Sequence, residues 1–160
     1  MDTKIDTLHL RRSILVRATA NRVWQEFESA ERITRWFSIG HIVHQLDPQV
    51  GGKVDMSIEA NEDHPGNQSE RAHFLGRVLT VTPNKELTFE TNFHPNPMPA
   101  PSKWTFLLSE HRLGTLIEFY HHGYEAFGEG AVDALEDLES AWNMKHLSTL
   151  RKLVEHDVSA

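Results

Sequence analysis

The regular alternation of residues 87–94 is the feature of this sequence that most restricts its fold. Every second side chain is apolar or small, with Leu87, Phe89, Thr91 and Phe93 separated by Thr88, Glu90, Asn92 and His94. Successive side chains of a β-strand point to opposite faces, so this pattern predicts a strand with one buried face. The segment therefore belongs to a sheet that packs one of its faces on a core.

Weaker alternation and turn signals predict further strands on both sides of this segment. They cover Leu8–Arg17, His41–Gln45, Lys53–Glu59, Ala72–Val81, Lys103–Ser109 and Thr115–Gly123. Gly51-Gly52 and Pro83-Asn84-Lys85 are typical of the turns between such strands. Because no helix is predicted between the strands from His41 to Gly123, they should pair as an antiparallel meander.

Three helices complete the predicted order of elements. The hydroxyls of Thr19 and Ser29 can accept hydrogen bonds from unpaired helical amides. They should therefore begin two short helices, one over Ala20–Phe27 and one that ends near Phe37. A longer apolar stripe predicts a last helix over about Ala131–His156. The predicted class is thus α+β, a curved antiparallel sheet of about six or seven strands covered by the long C-terminal helix.

The length and charge of the chain limit its class. Its 160 residues fit a single domain, with a core from about residue 8 to 156. No cysteine is present, which excludes disulfides and thiolate chemistry. The formal net charge of −7 would repel a phosphate backbone, so nucleic acid is not an expected partner. Neither a signal peptide nor a long apolar stretch is seen, which predicts a cytoplasmic protein without a membrane span.

Several short motifs occur in an order that resembles one superfamily. They are the opening ILVRATANRVWQEFESAERITRWF of residues 14–37, Gly51-Gly52, Gly76-Arg77-Val78, Gly114–Phe119, His121-His122-Gly123 and a last helix led by Trp142. In this order the chain resembles the SRPBCC (START and birch-pollen-allergen) superfamily. Within it, the chain is similar to homologues of the C-terminal domain of the activator of the 90-kDa heat shock protein ATPase. The resemblance covers about Leu10 to Val154 and implies a helix-grip fold.

The resemblance implies an apolar cavity between the sheet and the last helix, but it implies no single activity. Members of the superfamily include lipid carriers, polyketide cyclases and hormone receptors. The leading hypothesis is therefore binding of a small hydrophobic molecule, as a carrier, a sensor or a stress-response protein, without a cofactor. The first alternative is an enzyme that resembles a polyketide cyclase or a hydrolase.

A second alternative is an interaction protein that docks on a chaperone. The activator's separate N-terminal domain has no counterpart in these 160 residues, which argues against a chaperone partner. An open sheet edge would allow a homodimer.

Alternation and helical periodicity select the side chains that should face the cavity. In the strand 115–123, Glu118 marks the solvent side, so Ile117, Phe119 and His121 should point inward. Within the last helix, Glu139 and His146 fall inside the apolar stripe. The complete set of candidates is Met56, Ile58, Phe74, Phe89, Phe93, Trp104, Phe106, Ile117, Phe119, His121, Leu135, Glu139, Trp142 and His146.

Three roles stay open for the polar candidates His121, Glu139 and His146. They can make hydrogen bonds within a packed core, or they can hold a hydroxyl or carbonyl group of a ligand. They can also act as a general acid or base, because histidine titrates near neutral pH. No GxSxG elbow or phosphate-binding glycine loop occurs, so neither a serine-centred triad nor a phosphate site is expected.

A metal site is not expected from the positions of the histidines along each strand. His121 and His122 are adjacent, and His41 and His44 are three residues apart. In a regular strand either spacing puts the two side chains on opposite faces. No HExxH motif or similar helical pair occurs.

Overall fold

The computed structural model describes residues 5, 7–37, 41–58, 73–94, 97–133, 135–136 and 145–159. In these residues the chain forms a seven-stranded antiparallel sheet. Its strands are β1 (Leu10–Val16), β2 (His41–Leu46), β3 (Lys53–Ile58), β4 (His73–Thr82), β5 (Glu86–His94), β6 (Ser102–His111) and β7 (Gly114–His122). Each lies within two residues of its predicted bounds. The predicted α+β class is confirmed.

Strand pairing places β1 beside β7 rather than beside its neighbour in sequence. The order across the sheet is β1-β7-β6-β5-β4-β3-β2, and every neighbouring pair is antiparallel. Strands β2 to β7 thus form the predicted meander. Strand β1 adds to its far side, where Ile14 lies opposite Ile117. As a result, β1 and β2 are the two edges of the sheet.

Helices occur at the three places that the sequence predicts, and an unpredicted 3₁₀ segment follows β7. They are α1 (Ala20–Trp24), a 3₁₀ helix (Gln25–Phe27), α2 (Ala30–Phe37), a second 3₁₀ segment (Tyr124–Gly130) and α3 (Lys145–Ser159). Residues 131–133 and 135–136 are also helical. The predicted last helix, Ala131–His156, is thus found near both of its ends. Its residues 134 and 137–144 lie outside the described residues.

Side-chain caps begin the two short helices, as the sequence predicts. Thr19 Oγ1 accepts a hydrogen bond from Arg22 N at 3.2 Å. Ser29 Oγ accepts one from Arg32 N, also at 3.2 Å. Each cap satisfies an amide that has no partner within the helix, which fixes where the helix starts.

The core lies on one face of the sheet, which we call the inner face, where α2 and α3 pack. Its largest fully buried side chains are mostly aromatic: Trp36, Trp104, Phe27, Phe37, Phe89, Phe106 and Phe119. Helix α3 contributes Leu147, Leu150 and Val154. On the opposite, outer face lie polar side chains such as Asp55, Thr105 and Glu118. In the described part of the chain, no helix has the length and apolarity needed to cross a bilayer.

A buried carboxylate ties the first helices together. Glu26 is fully buried, and its carboxylate lies 2.8 Å from Arg22, 3.0 Å from Arg32 and 3.6 Å from Arg35. The indole Nε1 of Trp36 donates a hydrogen bond to the Glu26 carbonyl oxygen at 3.1 Å. A charge this deep requires partners of this kind. The cluster therefore fixes how α2 sits against α1.

Gly76 allows β4 and β5 to approach closely. A Cβ added there would overlap the backbone carbonyl of Glu90 on β5. Only glycine avoids this clash.

Candidate ligand site

Strand β7 presents alternate side chains to the core. Ile117 and Phe119 are fully buried and His121 is 5% exposed, whereas Glu118 and Tyr120 on the outer face are only half-buried. The first three residues thus face inward, as alternation predicts. Their contact with a ligand stays a prediction.

An aromatic cluster around Trp104 occupies the middle of the inner face. The Trp104 ring stacks on Phe89 with centroids 5.5 Å apart, and it lies 6.1 Å from Phe119 and 6.1 Å from Phe74. Phe37 of α2 packs against the same ring, with centroids 5.8 Å apart. Aromatic rings at these separations pack favourably in tilted and offset arrangements. The cluster joins four strands and one helix.

The other candidates on the sheet differ in burial. Met56 and Phe106 are buried, whereas Phe74 and Phe93 are half-buried and lie 4.8 Å apart between ring centroids. Phe74 is near the start of β4 and Phe93 near the end of β5, where the two residues are paired. The side chain of Ile58 lies outside the described residues. The inner face is therefore less completely covered at this end of the sheet.

His121 is the centre of a small hydrogen-bonded group at the same end. Its Nε2 shares a hydrogen bond of 2.8 Å with Ser102 Oγ, and its Nδ1 shares one of 3.2 Å with the Tyr124 hydroxyl. Its ring lies 4.4 Å from the Trp104 ring. When the imidazole is neutral, one of its nitrogens donates and the other accepts, and in that form the two hydroxyls take opposite roles. We call His121, Ser102 and Tyr124 the His121 group.

Tyr124 reaches His121 from the 3₁₀ segment that follows β7. Gly123 precedes it with φ of 87°, a left-handed conformation that turns the chain back over the sheet. Tyr124 is 4% exposed, and burial raises the pKa of its hydroxyl well above the usual range. A tyrosine hydroxyl is protonated at neutral pH in any case, and burial extends this form into alkaline solution. The sequence analysis missed Tyr124 and Ser102, because alternation gives no information on a residue beyond a strand or on a polar residue at its first position.

The last helix supplies the remaining candidates. His146 is 5% exposed, and its ring centroid lies 5.0 Å from that of Phe37. Leu135 is half-buried and packs against the core. Glu139 and Trp142 lie outside the described residues. The predicted polar trio is thus described for two of its members, which have different surroundings.

A surface hollow of about 480 Å³ lies at the opposite end of β6 and β7. Residues 18–20 and 110–114 line it, and these include the exposed side chains of His111 and Arg112. Its lining contains none of the predicted cavity residues.

The outer face carries a buried chain of hydrogen bonds that alternation did not predict. Thr88 Oγ1 donates to the Glu86 carboxylate at 2.7 Å and lies 3.0 Å from Thr105 Oγ1. Thr105 Oγ1 shares a further hydrogen bond of 2.8 Å with His122 Nε2. Thr105 and His122 are fully buried. Part of the outer face is therefore a covered polar network rather than a solvated surface.

A second histidine group lies on the outer face near the β2 edge. His44 Nε2 shares a hydrogen bond of 2.7 Å with Ser57 Oγ, and His73 Nδ1 shares one of 2.8 Å with Asp55 Oδ1. The two imidazole rings stack with centroids 5.3 Å apart and 24° between their planes. These residues come from three strands, β2, β3 and β4. Spacings of histidines along a single strand, on which no metal site was expected, do not reveal such a group.

Comparison with known proteins supports the resemblance seen in the sequence. The profile of the family described as "Activator of Hsp90 ATPase homolog 1-like protein" matches residues 17–155. Among curated proteins, none shows a significant match.

Solved structures with the same fold cover almost the whole chain. Protein CV1439 from Chromobacterium violaceum is 21% identical, with a TM-score of 0.71 over 92% of this chain and 97% of its own. The Aha1 dimer from Colwellia psychrerythraea is 13% identical, with a TM-score of 0.59 over 93% and 97%. DynU16, a putative protein in the dynemicin biosynthetic locus, is 14% identical, with a TM-score of 0.63 over 94% of this chain and 48% of its own.

Proposed function

The chain belongs to the family of Activator of Hsp90 ATPase homolog 1-like proteins, and from this premise we propose that it binds a small, uncharged, mainly apolar molecule on the inner face of its sheet. The observation that carries the proposal is the His121 group, a buried histidine that shares hydrogen bonds with two hydroxyls beside the Trp104 ring. Pockets for small molecules combine an apolar lining with a few placed polar groups in this way.

Partial burial supports entry of the molecule at the end of the sheet that holds the His121 group. Phe74, Phe93 and Ser102 are half-buried there. In the strand register Phe93 lies opposite Phe74, and Ser102 lies opposite Thr91, two residues from Phe93. The apolar part of a ligand would contact the two phenylalanine rings, while a hydroxyl or carbonyl group would reach Ser102 and His121.

The chemistry of the group favours an uncharged ligand. Ser102 and Tyr124 are hydroxyls that carry no charge at neutral pH, and burial raises the pKa of Tyr124 further. A buried carboxylate or ammonium group would lose its hydration without an opposite charge from these hydroxyls. The remaining predicted wall of the proposed site is Met56, Ile58, Phe89, Trp104, Phe106, Ile117, Phe119, Leu135, Glu139, Trp142 and His146.

One structural relative gives a direction for the search. DynU16 lies in the dynemicin biosynthetic locus. We therefore propose a polycyclic or polyketide-like aromatic compound with one hydroxyl or carbonyl group as the first class of ligand to test.

The proposal can be tested with a neutral fluorescent probe, N-phenyl-1-naphthylamine, and with native mass spectrometry. We expect saturable binding of one probe molecule and a discrete small molecule in protein purified from its own host. The conservative variant Phe93→Leu should weaken probe binding by about tenfold or more. The matched control Leu107→Ala removes a half-buried apolar side chain from the outer face and should leave binding unchanged.

Two outcomes would contradict the ligand proposal. One is a protein that is empty by mass spectrometry and takes up no probe. The other is probe binding that Phe93→Leu leaves intact and Leu107→Ala abolishes, since that would place the probe on the outer face. Tyr124→Phe then tests the polar end, because it should weaken binding of 1-naphthol more than binding of naphthalene.

The contact between Ser102 and His121 favours acid–base catalysis as a second candidate function. The Oγ–Nε2 distance of 2.8 Å allows the imidazole to take a proton from the serine hydroxyl, while Tyr124 holds the other ring nitrogen. Hydrolysis of p-nitrophenyl acetate that is lost in both Ser102→Ala and His121→Ala would support an enzyme. The control His111→Ala, at the exposed hairpin, should keep the same rate.

Self-association is the assembly that we propose to measure alongside binding. A relative from Colwellia psychrerythraea is described as a dimer, and β2 forms one edge of the sheet. Sedimentation equilibrium with and without the probe would show whether this chain forms dimers. Our proposal includes no chaperone partner.

A further inference from the structure

We propose that His44, Asp55 and His73 bind a divalent first-row transition-metal ion, with Zn²⁺ as the reference ion. One potential ligand atom from each residue lies within 4.8 Å of the others. The site lies on the outer face of the sheet, so it is separate from the proposed ligand site on the inner face.

The sheet register explains how three strands bring these side chains together. On β2, Val43 pairs with Met56 and Gln45 pairs with Asp55, so His44 is the extra residue of a β-bulge. A bulge redirects the side chains around it. In this case it places His44 over β3, within hydrogen-bond distance of Ser57.

His73 completes the group from the next strand. It is the first residue of β4 and pairs with Ser57. Asp55 is two residues before Ser57 on β3, so it lies on the same outer face and reaches His73 diagonally. Three adjacent strands therefore each contribute one donor, and the backbone hydrogen bonds of the sheet fix their spacing.

The donor set matches the preference of this class of ion. Two imidazoles and one carboxylate suit Zn²⁺ and its neighbours, whereas Mg²⁺ and Ca²⁺ prefer sets made of oxygen atoms alone. With metal–ligand bonds of about 2.1 Å, tetrahedral geometry puts two ligand atoms about 3.4 Å apart. The three ligand atoms lie within 4.8 Å of one another, and small side-chain rotations would bring them to this separation.

The two imidazole rings already lie side by side, with centroids 5.3 Å apart and 24° between their planes. An ion that takes both His73 Nδ1 and Asp55 Oδ1 as ligands replaces the hydrogen bond between them.

Partial exposure gives the ion a path and leaves room for water. His44 is exposed, and the side chains of His73 and Asp55 are 34% and 23% exposed. Three protein ligands leave a fourth position of a tetrahedral ion for a water molecule. Ser57, which is buried, holds His44 from behind as a positioning residue.

Binding would tie the edge strand β2 to the two strands beside it. Strand β2 pairs only with β3 in the sheet order, so its far side has no strand partner in the described residues. A ligand that binds only the folded state stabilises that state. We therefore expect Zn²⁺ to raise the midpoint of thermal unfolding.

Isothermal titration calorimetry on tag-free, chelator-treated protein tests the site. We expect one equivalent of Zn²⁺ to bind and Mg²⁺ to give no heat. His44→Ala, His73→Ala and Asp55→Asn should each lower the Zn²⁺ affinity by at least tenfold. The matched control His111→Ala removes an exposed histidine at the far hairpin and should leave affinity and stoichiometry unchanged.

Three results would overturn the proposal: no saturable Zn²⁺ binding, binding that none of the three variants weakens, or binding that His111→Ala weakens as much as they do. Circular dichroism confirms that each variant is folded, and the more conservative His73→Gln repeats the test if His73→Ala is not. Probe binding by His73→Ala should stay at the wild-type level. Loss of Zn²⁺ binding alone would thus leave the ligand proposal intact, and loss of probe binding alone would leave the metal site intact.

Discussion

His121 on the inner face and His73 on the outer face of this sheet have opposite surroundings. On the inner face, His121 is 5% exposed, lies against Trp104 and shares hydrogen bonds with hydroxyls. On the outer face, His73 is half-buried and shares a hydrogen bond with the Asp55 carboxylate. We propose that the first histidine contacts a neutral, apolar ligand and that the second binds a cation. The two histidines differ in their burial and in their hydrogen-bond partners, although both lie on strands of the same antiparallel sheet.

Substitution of the inner aromatic cluster should give the largest effect. Trp104→Ala removes a side chain that is 2% exposed and contacts the rings of Phe37, Phe74, Phe89, Phe119 and His121. The cavity and the lost contacts should cost about 3–5 kcal/mol of the free energy of unfolding. Urea denaturation followed by far-UV circular dichroism measures this loss. A loss under about 1 kcal/mol would mean that the inner face is not the core.

The buried part of the outer face should give the next largest effect. Thr105→Val keeps the shape of the side chain but removes the hydroxyl that Thr88 and His122 share. Their buried groups would lose a partner, which should cost about 2 kcal/mol. The same denaturation measurement applies, with Ser109→Ala as the control, because Ser109 lies exposed on the same strand. If Thr105→Val were as stable as the wild type, the buried hydrogen bonds of Thr105 would not contribute to stability, and this part of the outer face would behave like the solvated part.

Tyr124 gives a test of the inner face that depends on pH. The protein has two tyrosines, so the variant Tyr120→Phe keeps Tyr124 as its only tyrosine. Burial raises the pKa of Tyr124 in the folded protein, so its contribution to stability is complete below the unfolded pKa of about 10 and is lost as the pH rises above it. In this variant tyrosinate absorbance should appear only as the protein unfolds. Ionisation near pH 10 with an unchanged circular dichroism spectrum would contradict the burial.

The exposed part of the outer face should give the smallest effect when metal is removed. His73→Ala breaks a hydrogen bond with Asp55 that water can replace, because both side chains are partly exposed. In chelator-treated protein the expected loss is at most about 1 kcal/mol. Thermal unfolding with and without Zn²⁺ separates this loss from the metal effect. A loss as large as that of Trp104→Ala would show that the outer histidines are part of the core.

The sequence predicts those features that depend on local periodicity. Alternation gave the strands and the inward facing of Ile117, Phe119 and His121, and hydroxyls at Thr19 and Ser29 gave the helix starts. These signals are local because one residue's neighbours in sequence determine which face it occupies.

The two histidine groups depend on information that periodicity lacks. The register of β2, β3 and β4 brings His44, Asp55 and His73 together. A bulge at His44 also breaks the alternation of side chains along β2. Likewise, Tyr124 reaches His121 through a turn at Gly123. A register between distant strands follows from packing of the whole sheet, so it could not be read from one strand at a time.

The pairing of β1 with β7 also has a consequence for synthesis of the protein. Strand β1 can join the sheet only after β7 has been synthesised, because Ile14 pairs with Ile117, about a hundred residues later in the chain. At the usual rate of translation, roughly 5 to 20 residues per second, that wait is about 5 to 20 s. During this time Leu10, Ile14 and Val16, all buried in the finished protein, have no strand to pair with. Of the seven strands of this sheet, the one synthesised first is therefore among the last to pair, and its apolar side chains stay exposed to aggregation until then.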